Sequence, residues 1–187
     1  LMLVAFSALA SLLLIAVFIF KEGLPFFFKV GLRHFLLTSV WDPATSQFGI
    51  YPMIIASFWV TLGAMAIGAP LGIAGAVFLN EFVPRPVMRV VKPTIELLAG
   101  IPSVVYGFFG LIVLTNVIRI TFDIPSGETW LAASVLLGIM ALPTIVSVSE
   151  DAISSVPHEY KEGSLAIGAT RWQTISQVLV PAALSGI

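Results

Sequence analysis

Four stretches of this chain are apolar over a length that matches the thickness of a lipid bilayer: residues 2–20, 51–79, 95–118 and 130–148. A fifth apolar stretch begins near Val178 and runs to Ile187. Crossing the hydrocarbon core takes ~20 helical residues. Inside it, only helices and closed barrels satisfy every backbone polar group. Barrel strands alternate apolar and polar residues over ~10 positions, and these runs do not. The expected fold is all-α: a polytopic transmembrane helical bundle forming a single domain over residues 1–187. Composition agrees, with 58% hydrophobic residues, 10% charged and a mean hydropathy of +1.05, where a soluble domain carries ~25% charged residues. Leu1 already lies inside an apolar run, and residues 178–187 supply only part of a crossing. The sequence therefore reads as a fragment with four full spans and part of a fifth. The first run has no basic leader and reads as a spanning helix, not a signal peptide.

Two spans carry more than hydrophobicity. The second holds Gly63, Gly68, Gly72 and Gly75, and the Gly68–Gly72 spacing lets helix backbones approach closely. Pro70 is expected to bend it. The third holds Gly100, Pro102, Gly107 and Gly110 with Ser103, Tyr106 and Asn116. Gly-Ile-Pro-Ser this deep in a span predicts a break, and exposed backbone is tolerated there only under protein or in a water-filled cavity. The third span is thus the candidate lining of a translocation path. Glu96 and Arg119 lie at its edges, close enough to the ends to reach headgroups. The Gly100–Ser103 break would offer backbone N–H groups to an anion, with Ser103 and Tyr106 as hydroxyl donors.

Loop charge sets the topology. The loops after spans two and four share one side and carry Arg85, Arg89, Lys92, Lys161 and Arg171; those after spans one and three carry Lys21, Lys29, Arg33 and Arg119. The compact basic loop 81–92 places that segment and 150–177 in the cytoplasm. Residues 21–50 and 121–129 then fall outside.

Several chemistries are missing. No G-x-x-x-x-G-K-[ST], G-x-S-x-G or H-E-x-x-H occurs. Cysteine is absent, and His34 and His158 are too far apart in sequence to suggest a zinc site. A net charge of -1 gives no reason to expect nucleic acid. The chain is expected to be non-catalytic and to bind no cofactor or metal itself.

A polar island, Glu150–Pro181 (EDAISSVPHEYKEGSLAIGATRWQTISQVLVP), interrupts the apolar pattern. It reads as two short helices with a sharp break. Pro157 suits the first position of a helix running to Ile167. Gly168 fits the left-handed position just past that helix. Thr170 and Gln173 have the spacing of a capping box that starts the second helix. That helix is expected to carry Trp172, Ile175 and Leu179 on one face before Pro181. A helix-turn-helix hung between membrane spans is suited to being gripped by another protein.

Glu162-Gly163-Ser164, then Gly168, then Val178-Leu179-Val180-Pro181 resembles the coupling loop of permease subunits in ABC importers. The family pattern is E-A-A, three residues, G, nine residues, I-x-L-P, and here Gly163 and Ser164 replace the alanines. Across most of its length the chain is similar to the C-type permease subunits of phosphate-specific (Pst) importers. The carriers are Trp41-Asp42-Pro43 with Phe48-Gly49, the run Ile95–Gly107 (IELLAGIPSVVYG), Gly138–Thr144 and Ser149–Ala152.

That resemblance implies a type I ABC importer permease with six spans per subunit, in the inner or plasma membrane of a bacterium or archaeon. It implies a second permease subunit, a cytoplasmic ATPase dimer that holds ATP and Mg, and an external phosphate-binding protein. Glu162, Gly163, Ser164 and Gly168 would shape the coupling loop, Ala169, Thr170, Arg171 and Trp172 would present its tip, and Pro181 would lead into the fifth span. Glu96, Gly100, Pro102, Ser103, Tyr106 and Arg119 are the path candidates. Two rival readings are a permease for another small solute (molybdate, sulfate or an amino acid) and an ATP-independent secondary transporter or membrane scaffold.

Overall fold

Small residues recurring every fourth position decide how two of the long helices meet. In the computed structural model, which describes residues 2–186, α3 (Tyr51–Phe82) runs unbroken through Pro70 and buries Ala64, Gly68, Gly72 and Ala76. The surface covering this stripe is α7 (Trp130–Ser154). Gly63 lies against Ser134, Gly68 against Gly138, Gly72 against Ile145 and Gly75 against Val146. The partners advance together in number, so the two helices run in the same direction. The approach leaves no room for side chains: a Cβ on Gly72 would lie 2.5 Å from Ile145 Cγ2. Ser134, fully buried, donates its hydroxyl to the Trp130 carbonyl at 2.8 Å and approaches the Val60 carbonyl of α3. Ala76 continues the stripe into a small core with Ala152, Ile153 and Ala183.

The segment between α3 and α7 departs from expectation in one respect. The loop expected over 81–92 is only a corner at Val83–Pro84. Pro84 and Pro86 cannot continue α3 but suit a helix start, and α4 (Arg85–Ala99) begins at once. The predicted break is present at residues 100–102. Beyond it come α5 (Ser103–Phe109), one wide π turn (Gly110–Leu114) and α6 (Thr115–Phe122). The unbroken apolar helix is therefore Ser103–Phe122, not 95–118, and Glu96 and Gly100 lie before the break. This series runs antiparallel to α7. Lys92 meets Glu150, Ile95 lies near Val146, and Gly110 lies against Leu136. The break thus falls opposite the middle of α7.

The chain divides into two compact units, residues 1–57 and 58–187. In the first, α1 (Met2–Val30) extends ten residues beyond the expected span. Residues 21–50 are accordingly not an open loop. Gly31, at φ +82°, turns the chain into α2 (Leu32–Leu37). A two-residue ladder then pairs β1 (Trp41–Asp42) with β2 (Gln47–Phe48). Packing explains the order here. Phe26 meets Phe35 and Phe48 edge to face, and Trp41 meets Phe48 at 5.7 Å between centroids. Asp42 closes the turn by accepting from the Thr45 hydroxyl and the Ala44 N–H. Those bonds hold its carboxyl below the usual aspartate range.

Among the described residues, four helices are long and apolar enough to cross a membrane: α1, α3, the Ser103–Phe122 series and α7. No described residue of α1 is buried, and Leu3, Phe6, Leu14 and Val17 stand exposed. Such a surface needs lipid or protein around it. Leu1 and Ile187, the ends of the expected 1–187 domain, lie outside the described residues.

Replacing Gly72 by Leu forces a side chain into Ile145. We expect a loss of ~1–3 kcal/mol, the usual range for overpacking, read as a lower melting temperature in detergent. Gly75→Ala, whose Cβ would stop 3.3 Å from Val146 Cγ2, should cost clearly less in the same assay.

Candidate coupling site

The polar island folds as a pair of capped helices. Pro157 is the N-cap of α8 (His158–Ala166), since its fixed φ and missing N–H suit a helix start. Gly168 takes φ +91° and donates its N–H to the Leu165 carbonyl. That left-handed conformation favours glycine strongly. The Ala169 N–H then reaches the Ser164 carbonyl, and the chain leaves α8 at a sharp angle. Thr170 and Gln173 complete a reciprocal capping box for α9 (Arg171–Thr174). A second wide π turn (Ile175–Leu179) follows and leads into α10 (Val180–Ala183). The Val180 N–H reaches back to Ile175. This wide turn precedes Pro181, whose ring crowds the preceding turn of an ordinary α-helix.

One buried hydrogen bond joins the two helices across the turn: Ser164 Oγ and Thr174 Oγ1 are 3.0 Å apart. Ser164 thus stands in an alanine position of the family pattern with a partner waiting for its hydroxyl. Gly163 has open space around it, with nothing within 4 Å of an added Cβ. The expected shared face of Trp172, Ile175 and Leu179 is not formed. Ile175 and Leu179 are buried, whereas Trp172 is 71% exposed. Trp172 sits in the first turn of α9, at the tip, and the buried stripe instead begins at Thr174. Ile167, Leu165 and Tyr160 are also exposed. The loop therefore presents apolar side chains outward.

Two sets of ion pairs hold the segments near this loop. Lys161 of α8 reaches Glu81 at the end of α3, with Nζ 2.6 and 2.9 Å from its two oxygens. Lys92 of α4 lies 2.6 Å from Glu150 Oε2 and also binds Asp151 of α7. Asp151 foremost, then Glu150, raises the Lys92 pKa well above the ordinary lysine value, so it stays charged at neutral pH. Glu81, Lys161, Lys92, Glu150 and Asp151 were not singled out as pairs by sequence reasoning. Their partners lie 58 to 80 residues apart, and the one available signal was opposite charge beside span ends.

The path candidates do not converge on one point. Glu96, Gly100, Pro102 and Ser103 lie at or near the break and are exposed or, for Ile101 between them, partly so. Tyr106 reaches back across the break, its hydroxyl donating to the Leu98 carbonyl at 3.3 Å. Arg119 lies away from the break on α6 and donates to Asn116 Oδ1 at 3.0 Å. Among the described residues no cluster of His, Cys, Asp or Glu is arranged to hold a metal ion.

A helix pair with a glycine-only turn, set between spanning helices, is the arrangement of a transporter's coupling loop, and comparison with known proteins agrees. Residues 68–187 match the family described as binding-protein-dependent transport system inner membrane component. The chain belongs to this family. It is 46% identical over 183 residues to the probable ABC transporter permease protein YqgH of Bacillus subtilis, covering 96% of this chain and 59% of that protein. It is 35% identical over 172 residues to the phosphate transport system permease protein PstC of Mesorhizobium japonicum, covering 82% of this chain and 53% of that protein. The probable PstC of Methanocaldococcus jannaschii is 32% identical over 198 residues, covering 93% of this chain and 62% of that protein. The chain thus spans somewhat more than half the length of these relatives. A solved structure of the MetNI methionine ABC transporter in inward-facing conformations superimposes with a TM-score of 0.53 at 25% identity, covering 74% of this chain and 62% of that one. The permease is accordingly a multi-pass protein of the inner membrane, PstC-like in sequence and of the transporter-permease fold.

Within the permease, Ser164→Ala would strand the buried Thr174 hydroxyl. We expect a loss of ~1–3 kcal/mol. Gly163→Ala, in open space on a helix, should instead stabilise by ~1 kcal/mol. Thermal melts of the purified protein in detergent read both, and the opposite signs make the pair diagnostic.

Proposed function

We propose that this permease is the transmembrane subunit of an ATP-driven importer for inorganic phosphate, supplying half of the translocation path and taking its motion from a separate ATPase. The observation that carries the ATP-driven part is the capped helix pair around Gly168. Its tip exposes Ile167 and Trp172, and its base is tied to the bundle by Ser164–Thr174 and Lys161–Glu81. Such a knob fits a groove in a soluble partner and passes displacement to the spans as a rigid body. ATP and Mg belong on that partner, a cytoplasmic ATPase dimer, because this chain has no phosphate-cradling Walker loop. A second permease subunit would complete the path, and an external phosphate-binding protein would deliver the solute. Similarity to PstC proteins supports phosphate as that solute.

The chain's own contribution to the path is the break at residues 100–102. Lipid does not tolerate irregular backbone unless protein or water covers it. The break therefore belongs against the second subunit or the aqueous route. Selectivity can be left to the external binding protein, and a path with few fixed charges releases its anion readily.

The test is uptake of radiolabelled phosphate into vesicles holding the full-length permease with its partner subunits. Wild type should accumulate phosphate only with ATP inside the ATPase compartment. Gly168→Pro should abolish uptake while the complex still assembles, because proline cannot adopt φ +91° or donate the N–H that reaches Leu165. Ser103→Ala with Tyr106→Phe should slow uptake without changing assembly. Transport without ATP would reject the reading in favour of a secondary transporter, and ATP-driven import of another solute in place of phosphate would reject the substrate alone.

A further inference from the structure

The Lys161–Glu81 pair stands in an unusual place. One cleft, of about 400 Å³, opens on one side of it between the end of α3 (Leu79, Asn80), Arg85 of α4 and the start of α8 (Pro157, His158). A second, of about 200 Å³, opens on the other side between Glu81, Leu165, Arg171 and Thr174. Both clefts are lined by Glu81 and Lys161 themselves. Packing of α8 runs toward α9 and the following π turn. Between α8 and α3, the described residues offer one direct polar bridge, flanked by space on either side. Glu81 is the buried partner, its side chain 10% exposed, and both of its oxygens accept from the same ammonium. A doubly bonded, half-enclosed pair has one geometry, unlike a solvent-exposed pair that samples many.

We infer that Glu81 and Lys161 are positioning residues for coupling: they form the strut that makes α3 follow α8 when a partner displaces the loop. The inference rests on the coupling reading above and deepens it. α3 is also the helix locked against α7 by its glycine stripe. A push on α8 through this strut therefore reaches two spanning helices at once. The second route from the loop, through the π turn into α10, enters a different element. Losing the strut leaves that route intact and lets α8 move without α3. The expected defect is a complex that assembles and hydrolyses ATP but wastes it.

The experiment measures ATP hydrolysed per phosphate imported by the full-length permease with its partner subunits in vesicles. Glu81→Gln and Lys161→Met should each raise that ratio about fivefold or more, the scale of one lost coupling interaction, with normal yield of assembled complex. The exchange variant Glu81→Lys with Lys161→Glu should bring the ratio most of the way back, which a purely structural loss would not. Ratios unchanged in the single variants, or an exchange variant as wasteful as they are, would overturn the inference. The chain has no cysteine of its own, so Glu81→Cys with Lys161→Cys can be bridged by a short bifunctional thiol reagent. The bridged complex should keep ATP hydrolysis stimulated by the binding protein. Loss of that stimulation, regained on reduction, would show that the pair must open during the cycle and would also overturn the strut. This arm does not depend on the solute. A wild-type complex that fails to import phosphate would count against the phosphate reading and leave the strut to be judged by the bridge.

Discussion

The backbone-to-backbone contact of α3 with α7 is the constraint on which the rest of the second unit depends. In lipid there is no hydrophobic gain from bringing two apolar helices together, so close van der Waals packing has to supply the attraction. Ala64, Gly68, Gly72 and Ala76 clear the surface of α3, and Gly138 and Ser134 clear that of α7. Once these two are fixed side by side and parallel, the intervening chain must return along α7 in the opposite sense. It does so as α4, the break and the Ser103–Phe122 series. The same contact sets the ends of α3 and α7 beside each other, which puts Glu81 and Glu150 where lysines from α8 and α4 can reach them.

Much of this was legible because local chemistry dictates it. The helix pair of the coupling loop follows from Pro157, Gly168 and the Thr170–Gln173 box, each acting within a few residues of itself. The break at residues 100–102 follows from glycine and proline in the same way. The glycine stripe predicted close packing but not its partner, since spacing along one helix says nothing about which helix faces it. Residues 21–50 were misjudged because Lys21, Glu22 and Pro25 interrupt the apolar run, whereas contacts among Phe26, Phe35 and Phe48 order that region from a distance. The ion pairs and the Ser164–Thr174 bond were invisible for the same reason: both partners are ordinary residues until the fold brings them together. Trp172 was assigned to a buried face by periodicity alone, which ignores that the first turn of a helix can project past what it packs against.

The loop's design separates shape from contact. Residues that fix its geometry, namely Ser164, Gly168, Thr170, Gln173 and Thr174, spend their polar groups on one another and on the backbone. Those at the tip, Ile167 and Trp172, have no such bonds and face outward. A surface built this way can change its tip to suit a partner without altering the angle between the helices.

The wide turn at Ile175–Leu179 has a consequence for how this family can tolerate change. A π turn is an α-helix holding one residue too many. Deleting a single residue there would let the ordinary winding close, but everything after it would swing by roughly 100° about the axis. Ala183 would leave the pocket it shares with Ala76 and Ile153. Insertions and deletions, which loops elsewhere absorb freely, are therefore forbidden in these five residues, and the interval between the loop and the helix it feeds is kept by counting as much as by chemistry.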